Sequence, residues 1–135
     1  MKKIALAFGL LMVVAMVTFF AQRVPAMSSD VPDITPMELA TQLLSKDKVP
    51  FVLDVREPQE FEMGHIEGAK LIPLGSLPDR MAEVPKDKPV VVVCRSGNRS
   101  SRAAAFLTEQ GFTNIENLMG GMIAWTAKCG NKTYC

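Results

Sequence analysis

The stretch that decides the fold is Pro89-Val-Val-Val-Val-Cys94-Arg-Ser-Gly-Asn-Arg-Ser100. Its apolar half, Pro89–Cys94, does not alternate polar and apolar residues, which is typical of a strand buried on both faces of a parallel sheet. Gly97 lets the polar half bend tightly before a helix begins. Strand, short loop and helix in this order predict an α/β domain, in which sites form beyond the carboxyl ends of the strands.

Helices and strands alternate along the rest of the chain, which favours a mainly parallel sheet. We expect helices over residues 35–46, 58–63, 76–84 and 99–110, strands over 51–55, 70–72 and 115–118, and a closing helix after Gly120-Gly121. Thr35, Pro36 and Glu38 form an N-terminal capping pattern for the first helix.

Cys94 stands where the strand ends and the loop begins, and two interpretations compete there. A cysteine at a strand end is commonly a small core residue. The loop that follows, however, favours a reactive thiolate, because its backbone N–H groups and the next helix dipole form an anion site. Arg95 and Arg99 add full positive charge, so we expect the pKa of Cys94 to be depressed.

Three motifs occur in a fixed order and carry a family resemblance. They are Cys94–Ser100; Leu53-Asp-Val-Arg56 with Glu60-Phe61, Gly64-His-Ile-Glu-Gly-Ala69 and Ile72-Pro73; and Gly120-Gly-Met122 with Ala124-Trp125. Together they resemble rhodanese-like domains over about Ile34 to Lys128. Small exported members, of the phage shock protein E type, are similar in architecture.

The resemblance implies a central, mainly parallel five-stranded sheet with helices on both faces. It also implies thiosulfate sulfurtransferase activity with Cys94 as the catalytic nucleophile. Cys94 would take the outer sulfur of thiosulfate as a persulfide and pass it to a thiol or to cyanide. This chemistry requires no cofactor and no metal.

Further roles follow from the resemblance residue by residue. The expected substrate-binding residues are Arg95, at the anionic end of the substrate, and Ser96, Gly97, Asn98, Arg99 and Ser100, which form the cradle.

Asp54 and Arg56 are expected to support the loop, with Arg99 either in the cradle or bound to Asp54. Arg56 and Glu60 are expected to form a local ion pair. His65, the single histidine, is expected to be structural and Trp125 to be a core residue.

Two other functions remain open from the sequence. Phosphatases and arsenate reductases of the Cys-loop-Arg type need a larger loop, of about five residues, to surround a tetrahedral oxyanion. Only four residues separate Cys94 from Arg99 here. A sulfur-relay or binding module with a dedicated protein partner is the second alternative, since a fold does not determine a function.

The N-terminus has the pattern of an export segment. Lys2 and Lys3 precede an uncharged run over residues 4–21, and residues 1–26 are expected to be a cleaved signal peptide or a membrane anchor. Either would place the rest of the chain outside the cytoplasm, in the periplasm of a bacterium.

Residues 27–33 are expected to be a linker and residues 34–128 the domain. From residue 27 onward the chain has 12 basic and 14 acidic side chains, which gives no sign of nucleic-acid binding. We expect a monomer.

Residues 129–135 form a tail that departs from the family pattern. Three cysteines in an exported chain leave one unpaired, and the simplest arrangement is a Cys129–Cys135 disulfide with Cys94 free. The alternative is that Cys129 and Cys135 form a redox pair that accepts sulfur from Cys94.

Overall fold

The computed structural model describes residues 30–130 and Cys135. Within these residues the sheet has five strands, in the order β1-β5-β4-β2-β3. They are β1 (Asp33–Ile34), β2 (Phe51–Asp54), β3 (Lys70–Leu71), β4 (Val90–Val93) and β5 (Ile115–Leu118). All four strand pairs are parallel, which confirms the predicted α/β fold.

Five α-helices lie in the described residues. They are α1 (Pro36–Leu44), α2 (Pro58–Glu62), α3 (Leu77–Arg80), α4 (Asn98–Glu109) and α5 (Gly121–Cys129), with 3₁₀ turns at Leu74–Ser76 and Met81–Glu83. The single helix expected over 76–84 is therefore a short α-helix between two 3₁₀ turns. The predicted cap of α1 is confirmed, because the Glu38 N–H donates to Thr35 Oγ1 at 3.3 Å and the Thr35 N–H to Glu38 Oε2 at 2.9 Å.

Strand β4 is buried on both faces, which explains its uninterrupted apolar sequence. Val90 and Val92 belong to the core cluster that includes Leu107 of α4. Val91 and Val93 belong to the cluster on the other face, which includes residues of α1 and α5. Fully burying a valine contributes roughly 1.5–3 kcal/mol, so β4 is a rigid base for the loop that follows it.

Strand β1 lies partly within the expected linker. Asp33 pairs with Asn117 and Ile34 with Leu118, so Asp33 belongs to the sheet. Two residues are too few to give an alternating pattern, which is why the sequence did not indicate this strand. The expected export segment over 1–26, and residues 27–29 of the linker, lie outside the described residues. Between residues 30 and 130, no helix has the length and apolar character needed to cross a membrane.

Candidate active site

Cys94 follows β4 at the carboxyl edge of the sheet, and only 1% of its surface is exposed. Its sulfur accepts a hydrogen bond from the Gly97 N–H at 3.0 Å. The Ser100 Oγ lies 3.2 Å from the same sulfur. Gly97 has a φ of 102°, a conformation that favours glycine, and it turns the loop directly into α4. The loop therefore curls around the Cys94 sulfur, as a cradle would.

Two opposing effects act on the pKa of Cys94. Burial, the largest single effect, raises it. Hydrogen bonds from the Ser100 hydroxyl and from the backbone N–H groups of Ser100, Gly97 and Ser96 lower it. The hydrogen bonds prevail, and the pKa of Cys94 lies below the ordinary value for a thiol. Burial alone would raise the pKa of a core cysteine, so the lowered pKa of Cys94 sets it apart from an ordinary core residue.

Helix α5 holds the loop from its other side. The Met122 N–H donates to the Cys94 carbonyl at 2.8 Å, and the Ile123 N–H to the Arg95 carbonyl at 3.0 Å. A Cβ atom on Gly121 would lie 2.5 Å from the Cys94 carbonyl oxygen, so only glycine fits there. This close approach gives the Gly120-Gly121 pair a physical role: it lets the first turn of α5 bind the backbone of the cradle.

Arg99 binds neither the loop nor Asp54. Its Nη1 and Nη2 donate to the two carboxylate oxygens of Glu60, at 2.7 and 2.6 Å. Of the two alternatives expected for Arg99, the contact with Asp54 is therefore wrong. These hydrogen bonds lower the pKa of Glu60 to about 2. The pKa of Arg99 is raised, chiefly by its hydrogen bonds to Glu60. The charge of the Cys94 thiolate raises it as well, by a smaller amount, so the two charged groups lie close enough to interact.

Arg56 is the partner that occupies Asp54. Its Nη2 donates to Asp54 Oδ2 at 2.8 Å and its Nε to Oδ1 at 3.0 Å, and both residues are buried. Arg56 also donates to the backbone carbonyls of Glu60, at 3.2 Å, and Gly64, at 2.8 Å. The expected direct ion pair between the Arg56 and Glu60 side chains is therefore wrong, although the charge of Arg56 makes a smaller contribution, after Arg99, to the lowered pKa of Glu60. Arg56 ties the backbone around α2 to the end of β2.

Replacing Glu60 with glutamine is expected to lower the free energy of unfolding by about 1 kcal/mol at pH 7, because it removes a bidentate ion pair. The loss should shrink in acid. The pKa of Glu60 is lower in the folded chain, so its contribution is present above the ordinary value of 4.5 and disappears as the pH falls towards about 2. Urea unfolding at several pH values measures it. Glu83→Gln, which breaks the exposed pairs of Glu83 with Arg80 and Lys70, is the control and should have a smaller effect because those pairs are solvent-screened. Equal effects of the two variants would contradict this account of Glu60.

A cleft of about 780 Å³ opens beside the loop. The residues that line it include Arg95, His65, Met63, Ile123, Trp125, Arg56 and Glu60. Arg95 is exposed there, in a position to meet an anion. His65 Nδ1 is 2.8 Å from the Phe61 carbonyl and its ring stacks on Phe61 at 3.6 Å, contacts within its own segment that suit a structural role.

Ser96 and Asn98 are exposed and line a second groove, of about 470 Å³, on the opposite side of the loop. Asn117 lines the same groove and was missed by the sequence analysis. Its Oδ1 is 2.6 Å from Ser100 Oγ, and its Nδ2 donates to Asp33 Oδ1 at 2.8 Å. A polar residue near the carboxyl end of a short, buried strand was the signal that could have identified it.

The tail contains a disulfide between Cys129 and Cys135, while Cys94 is a free thiol. Cys129 ends α5 and is buried in the same cluster as Trp125. Residues 131–134, which lie between the two half-cystines, are outside the described part of the chain. The bond therefore fastens Cys135 to the core through α5.

Known proteins resemble this chain over the same region. The family model for the rhodanese-like domain matches residues 35–128. A sulfurtransferase of Allochromatium vinosum is 43% identical over 88 residues, which cover 65% of this chain and 82% of that protein. The thiosulfate sulfurtransferase GlpE of Pseudomonas aeruginosa is 45% identical over 74 residues, covering 55% of this chain and 67% of its own length.

A solved structure agrees with these sequence matches. The crystal structure of a rhodanese-related protein from Thermoplasma volcanium superposes with a TM-score of 0.66 at 33% identity, covering 73% of this chain and 93% of that one. The region that the family model matches, residues 35–128, contains every strand of the sheet except β1, and it contains the loop after β4. The chain belongs to the family of rhodanese-like domains.

Proposed function

We propose that this protein is a thiosulfate sulfurtransferase that carries sulfane sulfur as a persulfide on Cys94. The observation that supports this most is the cradle itself, in which backbone N–H groups and a hydroxyl converge on one buried sulfur of lowered pKa. Such donors stabilise a thiolate, and they would equally stabilise the anionic sulfur of a persulfide. The relatives named as sulfurtransferases support the same activity.

The reaction would proceed in two half-reactions. The Cys94 thiolate attacks the outer sulfur of thiosulfate, a new S–S bond forms, and sulfite leaves with the electron pair of the bond that breaks. An acceptor thiolate or cyanide then attacks the outer sulfur of the persulfide, which releases a persulfide or thiocyanate and restores the Cys94 thiolate. Arg95, exposed beside the cleft, is suited to hold the sulfonate end of thiosulfate.

The arrangement of Arg99 favours sulfur transfer over phosphate chemistry. An arginine that surrounds a tetrahedral oxyanion has to direct its guanidinium nitrogens into the loop. Here both terminal nitrogens of Arg99 are bound to Glu60. The short loop and the occupied arginine together favour a single sulfur atom over a tetrahedral oxyanion as the group bound in the loop.

We also infer that the domain works outside the cytoplasm, like the small exported members of its family. The basic start and the uncharged run over residues 4–21 support export, whether the segment is cleaved or remains as an anchor. The Cys129–Cys135 disulfide is consistent with an oxidising compartment. If the acceptor is a dedicated protein, we expect it to take the sulfur from the Cys94 persulfide faster than small thiols do.

Mass spectrometry of the intact purified protein tests the proposal. After incubation with thiosulfate we expect the mass to increase by one sulfur atom, and peptide mapping should place that sulfur on Cys94. Cyanide should remove it with the release of one equivalent of thiocyanate. A folded protein that gains no sulfur from thiosulfate would contradict the proposal.

A further inference from the structure

The Ser100 hydroxyl lies between two acceptors. Its Oγ is 3.2 Å from the Cys94 sulfur and 2.6 Å from Asn117 Oδ1. A serine hydroxyl has one proton and can donate it to only one of them at a time. Ser100 is fully buried. Both contacts are within hydrogen-bond distance, since sulfur is larger than oxygen, so the Asn117 oxygen and the Cys94 sulfur compete for the same proton.

The orientation of the Asn117 amide is set by Asp33. The two residues face each other in the β1–β5 register, and Asn117 Nδ2 donates to Asp33 Oδ1 at 2.8 Å. An ionised carboxylate only accepts hydrogen bonds, so it requires the NH₂ group on its side. The amide oxygen therefore faces Ser100. Asn117 is 7% exposed, and its side chain spans the distance between the surface carboxylate and the buried serine.

We propose that Asn117 and Asp33 are positioning residues that compete with Cys94 for the Ser100 proton and so limit the hydrogen bonding that would weaken its sulfur as a nucleophile. The inference rests on the proposed function, because it assigns a role within that same site. A thiolate that accepts more hydrogen bonds is more acidic but also attacks more slowly, since nucleophilicity falls with the pKa of the thiol. The competing acceptor thus limits how far the cradle stabilises the resting thiolate.

Other charged groups also act on Cys94 and have to be kept apart from this effect. Arg99 of α4 is near the sulfur but is paired with Glu60, and Arg95 is the next residue in the loop. Arg102 of α4 lines the same groove as Asp33. Asn117→Ala removes the competing acceptor without changing any charge. Asp33→Asn changes a charge, but at an exposed position where folding should be unaffected.

The test is the pKa of Cys94, measured from the pH dependence of its alkylation by iodoacetamide with the modified residue located by mass spectrometry. We expect Asn117→Ala to lower this pKa by about half to one pH unit, because the Ser100 proton becomes free to bind the thiolate. Asp33→Asn should also lower the pKa of Cys94. An asparagine at position 33 can donate as well as accept, so the Asn117 amide can rotate and point its NH₂ group, instead of its oxygen, at Ser100. Ser100→Ala should raise the pKa of Cys94.

The double variants decide between positioning and a general effect of the substitutions. In the Ser100→Ala background, Asn117→Ala and Asp33→Asn should no longer change the pKa of Cys94, whereas a charge or packing effect would persist. An unchanged or raised pKa in the single variants, or an equal fall in both backgrounds, would overturn the inference. If Asn117→Ala does not fold, Asp33→Asn alone gives the answer. Alkylation needs no sulfur donor, so failure of the sulfurtransferase proposal would be recognised separately, by the absence of sulfur uptake.

Discussion

Replacing Cys94 with serine is expected to lower the rate of thiocyanate formation from thiosulfate and cyanide by at least about 10³-fold. Serine has the same shape, but its hydroxyl does not ionise in the working pH range and its oxygen forms no persulfide. The donors on Gly97 and Ser100 still find an acceptor at position 94. The free energy of unfolding should therefore change by no more than about 1 kcal/mol, which separates lost chemistry from lost structure.

The other two cysteines provide the matched control. A double variant, Cys129→Ser/Cys135→Ser, is expected to keep its turnover per folded molecule and to lose on the order of 2 kcal/mol of stability, because the disulfide closes only a small loop. Turnover that persists in Cys94→Ser would contradict a role for Cys94 as the nucleophile. Turnover that disappears in the double variant would support the alternative, in which the tail cysteines accept sulfur from Cys94.

The centre of the fold could be predicted from the sequence because its determinants are local. Four successive valines require burial on both faces, Gly97 requires a turn, and the helix starts in the next residue. Short apolar runs indicate the strands over 51–55, 70–72 and 115–118 in the same local way. β1 was the exception, because a strand of two residues, flanked by hydrogen bonds from the Asn117 N–H to Pro32 and from the Met119 N–H to Ile34, leaves no periodic pattern in the sequence.

The pairing of the charged residues could not be predicted in the same way. The acidic partner of each arginine depends on the tertiary fold and on side-chain directions, which only the folded structure fixes. Arg99 binds Glu60, which is 39 residues away, while Arg56 turns back to Asp54, two residues away. The contact between Asp33 and Asn117 spans 84 residues and depends on the strand order.

Replacing Arg56 with leucine is expected to lower the free energy of unfolding by about 3–5 kcal/mol, the second largest effect we predict. The substitution leaves the Asp54 carboxylate, which is 1% exposed, without the guanidinium that neutralises it. It also removes the donor to the carbonyls of Glu60 and Gly64, so the α2 segment loses its attachment to the sheet. Urea unfolding followed by circular dichroism measures the loss.

Two further variants show whether the buried charge is the cause. Arg80→Leu removes an arginine from an exposed pair with Glu83 and should cost much less stability than Arg56→Leu. In Asp54→Asn/Arg56→Leu the unpaired charge is gone, so the double variant should be more stable than Arg56→Leu alone. A double variant that is less stable than Arg56→Leu would mean that packing of the Arg56 side chain, rather than its charge, holds this part of the site.

Because Glu60 lies on α2 and binds Arg99, a loosened α2 should also weaken the cradle. Sulfur uptake by the folded Arg56→Leu protein should therefore fall.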